Sequence, residues 1–233
     1  MGIWTIRSEG SADKALAYDT QLRELADDWF VNEVRHYYKR TLKRFDVTSR
    51  SLIAVIDPGT AFTGLLVELA LVCDRQYMLE GTYEDRPDAA PAELLFTASN
   101  DGDFPMGNGI SRLRSRFWGD EPAVDAVRAR LGEPLDAAAA EELGLVTEAL
   151  DDIDFEDELR LAREERASLS PDALTGMEAN HRFAGPETTE SKIFGRLTAW
   201  QNWIFIRPNA SGPDGALRRY GTGRKGDFDR GRV

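Results

Sequence analysis

A chain of 233 residues, 42% of them apolar, is long enough for a domain with a substantial core. Its formal charge of −12 argues against a nucleic-acid binder, which needs a basic face to displace counterions from phosphates. The single cysteine excludes an intramolecular disulfide framework, and no apolar run approaches the roughly 20 residues that cross a bilayer; with no charged-then-apolar leader at Met1, the cytoplasm is the expected location.

Ile3-Trp4-Thr5-Ile6 predicts a strand directly after the start of the chain. Between residues 21 and 45, Leu22, Leu25, Trp29, Val34, Tyr38, Leu42 and Phe45 recur every three to four positions with charged residues between them, which predicts one long amphipathic helix. Its Arg40, Lys43 and Arg44 suit the negative end of the helix dipole. His36, on the same helix, has no second histidine or carboxylate in register and reads as a surface residue rather than a metal ligand.

The most informative stretch follows. Leu52-Ile53-Ala54-Val55-Ile56 is a buried strand by composition, stopped by Asp57-Pro58-Gly59. Phe62, Leu65, Leu66, Leu69, Ala70, Val72 and Cys73 then predict a helix that is apolar nearly all round. Glu68 interrupts it, at a place where a charge must be paired, protonated or used in chemistry. In use, its leucine surroundings would raise its pKa; in a structural role it needs a basic partner, and Arg75 and Arg112 are the candidates.

Residues 80–91 read as an exposed loop, and 94–97 as a short strand. Residues 100–109 are rich in Gly and Asn in front of a helix beginning near Ile110, an arrangement that presents backbone N–H groups to an anion. Residues 121–146 predict two helices, the second capped by Asp136 and ended by Gly144. Helices follow at 155–167 and from Ser170-Pro171, and the aromatic residues between 193 and 206 predict core or a subunit interface.

Three of these segments resemble the crotonase (enoyl-CoA hydratase/isomerase) superfamily, in the right order and at compatible spacing. They are Glu68-Leu69-Ala70-Leu71-Val72-Cys73-Asp74; the run with Pro105, Gly107, Gly109, Arg112 and Leu113; and Ala137 through Gly144-Leu145-Val146. The resemblance implies an α/β crotonase-like fold, incomplete at the N-terminus, with its core over residues 1–150 and a helical C-terminal region over 151–233. It implies a CoA thioester as substrate and no cofactor or metal. Position by position, it makes Glu68 the catalytic acid/base and the Leu65 backbone N–H one oxyanion-hole donor. The second donor falls on an Ala-Asp loop, either Ala12-Asp13 or Ala17-Tyr18-Asp19, with Ala17 preferred. Gly107, Asn108 and Gly109 would contact substrate or CoA. The family has three glycines before the helix where this chain keeps Gly64 alone, and its second catalytic Glu falls on Thr97, Glu93 being out of register.

Residues 42–52, 104–109, 168–180 and 196–205 resemble, beyond the superfamily pattern, the second half of a two-part crotonase that opens the dearomatised ring of an aromatic CoA thioester. This implies that the missing N-terminal half is a partner, that the assembly is a homo-oligomer, and that the present half is either catalytic or a scaffold.

Overall fold

A computed structural model describes residues 2–229. Two compact units divide the chain: an α/β unit of Thr5–Asp46 with Leu52–Leu159, and a helical unit of Met1–Trp4, Val47–Ser51 and Arg160–Val233. The division expected near residue 150 thus lies nine residues later, inside a helix, and two short earlier stretches cluster with the C-terminal helices.

A four-stranded sheet runs in the order β1-β2-β3-β6, with β1 Ile3–Ile6, β2 Ser51–Ile56, β3 Arg75–Leu79 and β6 Glu148–Leu150. β2 and β3 are parallel with Ile53 opposite Arg75 and Ile56 opposite Met78, and β3 and β6 are parallel with Tyr77 opposite Glu148. Every residue of β2 is buried, which is why it reads as a continuous apolar run rather than an alternation. β4 Leu94–Leu95 and β5 Pro134–Leu135 form a separate antiparallel pair.

The expected long helix is two helices, α1 Ala12–Glu24 and α2 Trp29–Asp46. Asp28 makes the break: its Oδ1 accepts the N–H groups of Phe30 at 2.9 Å and Val31 at 3.1 Å, an N-cap that restarts the chain in a new helix. The helix expected after residue 62 is shorter than its apolar run. A 3-10 turn, Gly64–Leu66, leads into α3 Val67–Leu71. Beyond it come a second 3-10 turn, Ala98–Asp101, and the helices α4 Arg112–Arg116, α5 Glu121–Arg128 and α6 Ala137–Glu142. Asp120 and Asp136 cap α5 and α6 through their side chains, as the sequence predicts for Asp136. Phe62, Leu52, Ile56, Met78, Leu94, Phe96, Leu113 and Leu135 are fully buried together in the core of this unit.

α7 Phe155–Ser168 crosses the division, and α8 Pro171–His181, α9 Thr198–Phe205, α10 Pro208–Ser211 and α11 Ala216–Arg219 belong to the helical unit. There Glu178 accepts the Ser51 hydroxyl at 2.5 Å, and the Arg196 guanidinium holds the carbonyls of Ala179, Asn180 and Arg182 at 2.6–2.7 Å. The aromatic segment is not core: α9 buries none of its residues, and Phe194 and Phe205 are exposed. Among the described residues no helix is long and apolar enough to cross a membrane.

Candidate functional site

The turn before α3 brings the site together inside the α/β unit. Glu68 is 1% exposed and both of its oxygens are engaged: Oε1 accepts from Asn100 Nδ2 at 2.9 Å, and Oε2 from Arg112 Nη1 at 2.9 Å. The same guanidinium donates two parallel bonds to Asp46, Nε to Oδ1 at 2.9 Å and Nη2 to Oδ2 at 2.7 Å, and a further one to the Phe104 carbonyl at 2.7 Å. One buried cation thus joins the end of α2, the start of α3 and the loop before α4, in the planar geometry that suits guanidinium and carboxylate. Of the two partners considered for Glu68, Arg112 is the one the fold supplies; Arg75 donates instead to the Tyr77 hydroxyl.

Asn100 completes the network from the second 3-10 turn. Its Oδ1 accepts the Thr97 N–H at 3.0 Å while its Nδ2 also reaches the Gly64 carbonyl at 3.0 Å. Asn100 therefore ties that turn to the start of α3, and its two amide protons and one oxygen are all paired.

Burial pushes the Glu68 carboxyl above the usual carboxylate range. The Arg112 charge and the hydrogen bonds from Asn100 and Arg112 pull the other way, and Asp46 adds to the rise. Folding favours the protonated form of a carboxyl whose pKa is raised. Its contribution is therefore complete below about pH 4.5 and is lost as the pH climbs through the raised folded value. Glu68→Gln is neutral throughout, so the stability of the natural chain relative to this variant should fall from about pH 4.5 upward. Urea midpoints of both proteins measured at several pH values check this; a constant gap would contradict it.

The Leu65 N–H is not open. Asp19 Oδ1 accepts it at 2.9 Å, and Asp19 Oδ2 accepts the Thr97 hydroxyl at 2.8 Å. Asp19 is 2% exposed and lies against Gly64, where an added Cβ would stand 2.6 Å from the Asp19 Cγ. Gly64 has φ +55°, in the left-handed region, so a side chain there meets both backbone strain and a collision.

Ala17 does not lie on a loop. It is an exposed interior residue of α1, where a backbone N–H is committed to the carbonyl four residues earlier, and Ala12-Asp13 forms the first turn of the same helix. Neither pair therefore lies on a loop: the Ala17 N–H is bonded within α1, whereas Ala12 and Asp13 stand in its first turn, where N–H groups have no intrahelical acceptor. The physical reason is the cap: Ser11 Oγ accepts the Lys14 N–H and starts the helix ahead of both pairs. Gly107, Asn108 and Gly109 are exposed and close on themselves, Gly109 N–H donating to the Met106 carbonyl at 3.0 Å and Asn108 Oδ1 accepting from Ile110 N–H at 3.1 Å. Their turn sets the start of α4, and thereby Arg112, beside Glu68.

Three members of this site escape the sequence reading, the first being Asn100, which stands there only as one residue of a turn rich in Gly and Asn. Asp46 lies one residue past the helix expected over 21–45 and has no reading there, although it closes a buried ion pair. Asp19 carried a signal: α1 buries its Leu22 and half-buries its Ala15 and Leu16, and Asp19 sits in the middle of that stripe. Among the described residues, no group of three or more His, Cys, Asp or Glu side chains is placed to hold a metal ion.

Solved enoyl-CoA hydratases share this arrangement of elements. That of Geobacillus kaustophilus HTA426 matches 98% of this chain and 93% of its own with a TM-score of 0.64 at 15% identity. That of Bacillus anthracis matches 86% of this chain and 70% of its own, with a TM-score of 0.63 at 18% identity. The fold is that of the crotonases. No family model matches the chain. Among curated proteins, benzoyl-CoA-dihydrodiol lyase of Aromatoleum evansii is 52% identical over 235 residues. The alignment takes in all of this chain and 41% of that lyase, as its C-terminal half. The crotonase fold thus stands here beside an ion-paired Glu68 and a Leu65 N–H that already holds a carboxylate.

Proposed function

We propose that this chain is the C-terminal half of a carbon–carbon lyase that opens the ring of 2,3-epoxybenzoyl-CoA, consuming water and releasing formate to leave 3,4-didehydroadipyl-CoA semialdehyde, a step of aerobic benzoate degradation. The observation that carries this reading is the 52% identity to benzoyl-CoA-dihydrodiol lyase along the whole chain. The chain spans less than half of that relative, so the activity is proposed for a longer protein that includes it. The reaction class suits a crotonase fold, since a thioester carbonyl takes up the developing charge and backbone donors stabilise it without a cofactor. Incubating the longer protein with 2,3-epoxybenzoyl-CoA should release formate. A product hydrated at a simple enoyl double bond, without formate, would favour an ordinary enoyl-CoA hydratase instead.

Within that protein we read the present half as scaffold. Acid/base work requires an oxygen within reach of the substrate, and both oxygens of Glu68 are held by Arg112 and Asn100. A residue matched to the family's second carboxylate, Thr97, has no titrating group in the useful range, and its hydroxyl is bound to Asp19. The exposed Phe194, Leu197 and Ile206 support an association partner, which we take to be the rest of the longer chain or a further copy.

A further inference from the structure

We propose that the Asp19 carboxylate is a built-in occupant of the oxyanion position of this half, closing it to the acyl oxygen of a CoA thioester. The proposal rests on the thioester reading above and deepens it by giving the reason why this half does not turn over.

A thioester oxygen that develops negative charge and a carboxylate oxygen offer the same chemistry to a backbone N–H, so one donor cannot serve both at once. Leu65 N–H serves Asp19 Oδ1 at 2.9 Å. The second carboxylate oxygen is fixed by the Thr97 hydroxyl at 2.8 Å, and the pair of bonds leaves the group one orientation. The occupant is built in rather than incidental, because three separate parts of the chain are shaped to it. α1 places Asp19 on its buried stripe above Leu22. Gly64 supplies the space: an added Cβ would stand 2.6 Å from Cγ, 2.8 Å from Cβ and 2.9 Å from Oδ2 of Asp19. Thr97 places a hydroxyl donor where a carboxylate would repel Asp19 at close range. The Gly64 carbonyl, on the other side of the same peptide, is held by Asn100, so the turn that aims the Leu65 N–H is pinned from behind.

If Asp19 fills an oxyanion position, removing its side chain should leave a cavity that takes a free carboxylate. The test uses the full chain, Asp19→Ala, and formate as the probe. The variant should melt below the natural chain, and sodium formate should raise its melting temperature by about 2–4 °C or more over the same concentration of sodium chloride, while leaving the natural chain unmoved. An equal rise with chloride, or no rise, would overturn the proposal. Should Asp19→Ala fail to fold, the natural chain still decides: its Leu65 amide resonance should stay in place on addition of benzoyl-CoA, and a saturable shift of that resonance would overturn it. Neither readout involves ring cleavage, so failure here leaves the formate assay on the longer protein standing, and failure of that assay leaves these results intact.

Discussion

Replacing Arg112 with alanine should destabilise the chain by about 3–5 kcal/mol, the usual consequence of removing one partner of a buried ion pair. The guanidinium is 2% exposed and answers two carboxylates, of which Asp46 is 1% and Glu68 also 1% exposed. Without it, both must either remain charged in a low-dielectric interior or take up protons, and the Phe104 carbonyl loses its donor as well. Arg112→Lys should recover only part of the loss, since one ammonium cannot reproduce the parallel pair of bonds to Asp46 together with the bond to Glu68. Urea unfolding of the three proteins at neutral pH measures this. A loss below about 1 kcal/mol for Arg112→Ala would show that the carboxylates find water or another partner, and that the network does not hold the elements together.

Gly64→Ala should cost about 2–5 kcal/mol, from two sources that can be separated. A non-glycine residue at φ +55° costs about 1–2 kcal/mol, and forcing a methyl into a filled site about 1–3 kcal/mol more. The first depends only on the backbone at Gly64. The second depends on Asp19, whose Cγ would lie 2.6 Å from the new atom. In an Asp19→Ala background the collision is gone, so Gly64→Ala should cost less there, and a double-mutant cycle should give a coupling of about 1–3 kcal/mol. Additive effects would mean that the turn yields without reference to Asp19, contrary to the close approach described.

How much of this was legible in the sequence depended on whether an interaction is local. The buried strand β2, its Asp57-Pro58-Gly59 stop and the apolar run around Glu68 are written within a few residues of one another, and the Asp136 cap likewise; α8 starts at Ser170-Pro171 as expected, but without a capping bond from the Ser170 side chain. The requirement for a basic partner to Glu68 was legible too, because a carboxylate among leucines admits few solutions, and Arg112 was one of two candidates. Its choice over Arg75 was not legible: it depends on the turn at 106–110 and on Asp46 arriving 66 positions earlier in the chain at the end of α2. The split between α1 and α2 was missed because Leu22, Leu25 and Trp29 keep helical spacing across it, although Asp28 is a capping residue in the right place. In the sequence Asp19 belongs to one of two candidate Ala-Asp loops. Its role emerges only when α1, Gly64 and Thr97 meet, 46 and 78 positions distant along the chain from the groups it binds. The helical unit is the least legible, for its aromatic segment has the composition of a core, yet Phe194 and Phe205 lie exposed and Trp200 and Trp203 are only half-buried.

On the function proposed above, the buried network around Glu68 holds the structure together and does not handle protons. Formate release by the longer protein, measured for the natural sequence and for Glu68→Gln with melting temperature recorded alongside, tests it most directly. The amide keeps the shape of the carboxyl but cannot exchange a proton, so turnover should be retained within a few-fold at pH 7. Loss of turnover by a factor of about 100 or more at an unchanged melting temperature would contradict the claim and make Glu68 the acid/base of the reaction.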